Sequence, residues 1–152
     1  VELISGDSPA DFTGRVVIVT GAARGLGLAA AQRFYERGAY VAVNVRDGAR
    51  AEATANALGE RAIAVPGDVA AAGVPNEIAR LTMERFGRID ILVNNAALAR
   101  STRFSDLVAD EWRQALEVNL TAPFLLTKAV LPAMQAQHYG RIVNISSSAG
   151  RT

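Results

Sequence analysis

The sequence predicts an α/β fold, a doubly wound parallel sheet with helices on both faces, and three observations carry that reading. Runs of branched aliphatic residues alternate along the chain with segments of helical period. Those runs are almost wholly apolar rather than alternating, as expected of strands covered on both faces. A glycine-rich turn joins the first strand to the first helix.

The elements follow in order. Val16-Val17-Ile18-Val19, with Gly14 and Gly21 on either side, reads as a buried strand. From Leu26 the spacing turns helical, with Leu26, Ala30 and Phe34 on one stripe, and it stops at Gly38, a good C-terminal cap. Val41, Val43 and Val45 give a second strand, Ala49 to Leu58 a helix closed by Gly59, and Ala62 to Val65 a third strand ended by Pro66 and Gly67. Pro75 suits the first turn of a helix that carries Ile78, Leu81 and Phe86 and runs to Gly87, before a fourth strand over Ile89 to Val93. Asp110 is the expected N-cap of a long helix bearing Trp112, Leu116, Leu120, Leu125 and Val130, with a kink or break at Pro123. After Gly140, Arg141 to Ile145 reads as a fifth strand, and Ser146, Ser147, Ser148, Ala149 and Gly150 form a small-residue loop.

Composition narrows the function. The 152 residues carry 16 basic and 15 acidic side chains, a formal charge of +1, with 50% hydrophobic and 20% charged residues. One nearly neutral globular domain is expected, with neither nucleic acid nor a membrane as partner, because both need clustered excess cation or a long apolar span. With no cysteine and one histidine, no metal site is expected. The first thirteen residues hold Glu2, Asp7 and Asp11 and no basic n-region, so a cytoplasmic setting is expected.

Right-handed crossovers place strands one, two and three outward in one direction and start four and five on the other side of strand one, giving the order 3-2-1-4-5. Ligands of open α/β sheets bind at the carboxyl ends beside such a switch point, here between strands one and four. Thr20-Gly21-Ala22-Ala23-Arg24-Gly25-Leu26-Gly27 sits there. Glycines let a backbone turn tightly and approach a pyrophosphate, whose charge is met by the helix N-terminus. An ordinary glycine turn is the bland alternative. No Gly-Lys-Ser/Thr ending points to a nucleoside triphosphatase loop.

The spacing Thr-Gly-x3-Gly-x-Gly resembles that of the short-chain dehydrogenase/reductase family, classical type, and further landmarks follow in order. Asp68-Val69 resembles the pair that contacts adenine, and Asn94-Asn95-Ala96-Ala97 resembles Asn-Asn-Ala-Gly, with Ala97 in place of the last glycine. Val118-Asn119-Leu120 is similar to the segment of the helix asparagine, and Arg141 to Ser147 to the strand leading to the catalytic serine. The resemblance spans about residues 13 to 150 and implies a Rossmann-like domain that binds NAD(P), with residues 1–12 as an N-terminal extension. It implies cofactor contacts at Gly21, Arg24, Gly25, Leu26, Gly27, Arg46, Asp68, Val69, Asn95 and Ala96. Ser147 is the implied carbonyl-binding hydroxyl and Asn119 the residue that orients a proton relay. Polar residues capping a strand, or a local hydrogen-bond solution in a helix, are the bland readings of those two.

The family's Tyr-x3-Lys pair, in which an ammonium one helical turn away lowers the phenol pKa, does not occur. Tyr35, Tyr40 and Tyr139 are followed four residues later by Ala39, Asn44 and Val143. In the family that pair lies beyond the serine loop, so the resemblance implies a sheet truncated before its last strands. At the end of strand two, where a carboxylate selects NAD, stands Val45, followed by Arg46. Arg46 and Arg24 favour NADP, since two guanidiniums meet a 2′-phosphate, while Asp47 argues for NAD. The expected function is an NAD(P)-dependent oxidoreductase interconverting a small-molecule alcohol and carbonyl, like a ketoacyl reductase or a sugar or polyol dehydrogenase. Its alternative is a non-catalytic dinucleotide-binding fragment or scaffold. Trp112 and Phe124 are expected in the core or a subunit interface, and by analogy the protein is a homo-oligomer.

Overall fold

The computed structural model describes residues 11–99 and 102–147. Most of the expected N-terminal extension, together with Ser148, Ala149 and Gly150, lies outside those residues. Five parallel strands form one sheet in the order β3-β2-β1-β4-β5, namely β1 Val16–Thr20, β2 Tyr40–Asn44, β3 Ala62–Ala64, β4 Ile91–Asn94 and β5 Arg141–Asn144. The helices are α1 Gly25–Glu36, α2 Gly48–Leu58, α3 Val74–Phe86, α4 Ala109–Leu116 and α5 Ala122–Ala136.

The apolar runs are explained by two cores, one on each face. Val17, Val19, Val41, Val43, Ile91 and Val93 pack with Ala31, Ala51 and Ala55 of α1 and α2. The alternate residues Ile18, Ala42 and Leu92 pack with Ile78 of α3 and Leu126, Val130 and Met134 of α5. Successive side chains point to opposite faces, so a strand buried on both must be apolar at every position. β5 is the exception among the five, with all four residues exposed.

The structure corrects two helical stripes. Leu26 of α1 is 61% exposed, and the helix instead sets Gly27 and Ala31 against the sheet. Small residues win that face because they let the helix axis come close, which a leucine would prevent. On the expected long helix, Asp110 is not the N-cap. Val108 occupies that position and Asp110 lies in the first turn, paired with Arg113. Trp112, Leu116, Leu120 and Phe124 are exposed, so they are not core, and the buried stripe is Ala122, Leu126, Val130 and Met134. The break falls at Glu117–Thr121, a π-helical turn immediately before α5, with Pro123 in the first turn of that helix where its missing N–H costs nothing. Two of the three expected C-terminal caps hold, with Gly59 and Gly87 closing α2 and α3, while Arg37 takes the cap position of α1 and Gly38 follows it with a positive φ.

At the amino ends of β1 and β4, the buried carboxylate of Asp90 gathers four donors. Arg88 reaches it at 2.7 and 2.6 Å, the Val16 N–H at 2.9 Å and Arg15 at 2.9 Å. Burial alone would raise its pKa, but these donors outweigh burial and hold the carboxyl below the usual aspartate range. Arg15 also stacks on the Tyr139 ring, 4.0 Å from its centre, which joins the entry to β5 to the same knot. Phe12 packs edge-on against Phe34 of α1, with ring centres 4.8 Å apart.

Candidate functional site

At the carboxyl ends of β1, β2 and β4 lies a cleft of about 900 Å³, where the strand order reverses. Gly21, Arg24, Gly25, Leu26, Gly27, Arg46, Asp68, Val69, Asn95 and Ala96 all line it. Residues drawn from four separate stretches of sequence are thus brought to one cavity by the parallel topology.

The turn between β1 and α1 is built for close approach. Gly21 is left-handed, with φ of 65°, and a Cβ there would lie 3.0 Å from the Ala96 Cα. A Cβ on Gly27 would run into the Gly21 carbonyl oxygen and the Asn95 amide nitrogen. Only glycine fits either place. Arg24 holds the N-cap position in extended conformation, and no side chain caps α1. The first helical bond runs from the Leu28 N–H to the Arg24 carbonyl, so the N–H groups of Gly25, Leu26 and Gly27 stand at the positive end of the helix with no intrahelical acceptor. That arrangement fits an anion such as a pyrophosphate.

Polar side chains around the turn are spent on holding loops. The Asn95 side-chain amide donates to the Thr20 carbonyl at 2.9 Å and to the Gly21 carbonyl at 3.3 Å. In return the Thr20 hydroxyl accepts from the N–H groups of Asn95 and Ala96 at 3.0 and 2.9 Å. Asn44, buried at the end of β2, donates to the carbonyls of Val65 and Gly67 and so fixes the loop that presents Asp68. Asp68 accepts from the Ala70 N–H at 3.0 Å, as its turn chemistry suggests. Asp47 is the N-cap of α2 and accepts from the Arg50 N–H at 2.8 Å.

The two expected catalytic residues stand apart from the cleft lining. Asn119 lies in the π-helical turn and clamps Leu98, accepting from its N–H at 2.8 Å and donating to its carbonyl at 2.9 Å. Leu98 lines the cleft, so the clamp sets one wall. Ser147 is exposed, three residues beyond the end of β5. That strand end is tied to β4 by a bond from the Asn94 side-chain amide to Asn144 at 2.8 Å and from the Ile145 N–H to the Asn94 carbonyl at 3.0 Å.

Sequence reasoning missed Arg50, Ala53 and Thr54 of α2 and Gln114 and Val118 near the π turn, all of which line the cleft. The signal for the first three was there. Asp47 followed three residues later by Arg50 is an N-cap spacing, and Ala53 and Thr54 fall one turn further on the same face. Of the two braces, Thr20 opens the glycine motif, whereas Asn44 had no signal beyond its place at a strand end.

Comparison with known proteins agrees with this geometry. The family model described as short chain dehydrogenase matches residues 15–152. The chain is 42% identical over 145 residues to a 3-oxoacyl-[acyl-carrier-protein] reductase of Synechocystis sp., covering 91% of this chain and 58% of that protein. It is 39% identical over 138 residues to galactitol 2-dehydrogenase of Agrobacterium fabrum, covering 90% and 54%. It is 36% identical over 140 residues to the 3-oxoacyl-[acyl-carrier-protein] reductase FabG of Vibrio cholerae, covering 92% and 57%. The chain therefore spans little more than half the length of these relatives. Among the described residues, no helix is long and apolar enough to cross a membrane.

Proposed function

The chain belongs to the short-chain dehydrogenase family, and on that premise we propose that it is the cofactor-binding part of an NAD(P)-dependent oxidoreductase that interconverts an alcohol and a carbonyl. The observation that carries this reading is the glycine turn at the head of α1, which offers uncapped N–H groups and has no room for a Cβ at Gly21 or Gly27. When bound, the nicotinamide cofactor would supply the hydride for carbonyl reduction and accept it in alcohol oxidation.

The residues of this chain bind and orient. The N–H groups of Gly25, Leu26 and Gly27 hold the pyrophosphate at the helix N-terminus. Asp68 and Val69, on the loop fixed by Asn44, take the adenine, and Asn95 and Ala96 form the wall beyond the turn. Arg24 and Arg46 meet the 2′-phosphate of NADP, the favoured cofactor, each guanidinium offering forked donors to phosphate oxygens. Ser147 donates its hydroxyl to the substrate carbonyl oxygen, and Asn119 keeps the Leu98 backbone in place for the proton relay. The 152 residues hold no Tyr-x3-Lys pair to act as the acid. The exposed stripe of Trp112, Leu116, Leu120 and Phe124 is the surface on which a second copy packs.

Titration of the protein with NADPH and with NADH, read by calorimetry, tests the reading. Binding of both, with NADPH the tighter, is expected. Absence of binding to either would overturn it.

A further inference from the structure

Resting on the dinucleotide reading above, we infer that Arg50, in the first turn of α2, is a third 2′-phosphate ligand and the specificity-determining residue contributed by that helix. Three arginines line the cleft, Arg24 from the glycine turn, Arg46 from the end of β2 and Arg50 from α2. None of the three is ion-paired among the described residues, whereas Arg15, Arg33, Arg80, Arg88 and Arg113 all are. An exposed arginine costs little to leave unpaired, but three from separate elements converging on one concave surface outnumber the carboxylates there, and none of them is bridged to one among the described residues.

Among the described residues two carboxylates share the cleft, Asp47 and Asp68, and both accept from backbone N–H groups. Asp47 is the decisive one. By sequence distance it competes for the ribose hydroxyls, yet its carboxylate is turned onto the Arg50 N–H as the cap of α2. The cap does two things at once. It takes the acid away from the ribose, and it fixes the backbone of the residue three positions on. Arg50 shares a helix face with Ala53 and Thr54, which also line the cleft, so its guanidinium is carried on the inner side of α2. The ligand chemistry that fits three forked cations is a phosphomonoester dianion, not a bare ribose.

Calorimetric titration of the protein with 2′,5′-ADP and with 5′-AMP isolates this contribution, since the two probes differ in the 2′-phosphate. Arg50→Gln is expected to weaken 2′,5′-ADP about tenfold, the equivalent of ~1.4 kcal/mol, and to leave 5′-AMP unchanged. Arg50→Lys, which keeps the charge and loses the fork, is expected to fall between. Asp47→Asn, which preserves a good N-cap, is expected to leave 5′-AMP binding unchanged. An Arg50→Gln protein with unaltered preference between the probes, or with both weakened equally, would overturn the inference. So would loss of 5′-AMP binding in Asp47→Asn, which would make that carboxylate a ribose ligand. Failure of the unaltered protein to bind either probe would instead remove the dinucleotide reading itself, and the inference with it. Far-UV circular dichroism confirms that each variant is folded; the Arg50 side chain is exposed and outside both cores.

Discussion

At the amino ends of β1 and β4 a buried carboxylate, Asp90, is met by Arg15, Arg88 and a backbone N–H; at the opposite edge of the sheet, beyond the carboxyl ends of β1 and β2, Arg24, Arg46 and Arg50 line the cleft. The first arrangement is closed. Each charge has its partner inside the chain, and burial makes the partnership strict. The second is open by construction, because the asparagines, the threonine and the aspartates there are all engaged in shaping loops while the cations and the head of α1 are left to an outside anion. One sheet thus carries a structural end and a candidate binding end, and the difference lies in where the polar groups are spent.

The contrast can be broken first at its closed end. Asp90→Ala leaves two arginines and the Val16 N–H without their acceptor and is expected to destabilise the fold by about 3 kcal/mol. The measurement is urea unfolding, and the folded fraction should keep its preference between nucleotides. Next comes the open end. Gly27→Ala forces a Cβ against the Gly21 carbonyl, with an expected cost of about 1–3 kcal/mol and loss of NADPH binding in a fluorescence titration. Arg46→Asp places a negative charge at the proposed 2′-phosphate site, and the ratio of NADPH to NADH affinity is expected to fall about tenfold, the equivalent of ~1.4 kcal/mol.

A pH series sharpens the comparison. The folded-state pKa of Asp90 is depressed, so its contribution is present above the unfolded value of about 3.9 and is lost as pH falls through the folded value. Thermal unfolding midpoints should therefore drop below about pH 4, and Asp90→Asn should flatten that drop. The smallest effect belongs to the surface. Arg80→Ala removes the bridges to Glu77 and Glu84 on α3, and the midpoint is expected to stay where it was.

Much of this was legible in the sequence, for identifiable reasons. Apolar runs such as Val16 to Val19, branched and bounded by glycines, read as strands covered twice, and right-handed crossovers on either side of strand one give the observed order. The cleft followed, because glycine spacing and strand ends fix where a backbone turns. What misled was the assumption that the apolar residues of a helix face the core. Leu26 and Phe124 are the larger, more visible residues, but Gly27, Ala31 and Ala122 allow a closer approach to the sheet and take the buried side. Helical period gives the phase of a stripe without saying which of two stripes is inside. Arg50 was missed for a related reason. An arginine in a helix reads as solvated until a cap and a neighbouring cavity give it a direction.

The π-helical turn at Glu117–Thr121 also constrains how the molecule can change. A π turn fits one residue more than an α turn into about the same rotation, so the helical faces before and after it stay in phase while the extra position bulges outward. Deleting one position there would give a regular helix that still turns Leu126, Val130 and Met134 to the core, yet it would remove the bulge that carries Asn119 and take its side chain off Leu98. The extra residue thus serves the wall of the cleft and not the packing of the helix: a change of length would be felt at Leu98 before it was felt in the core.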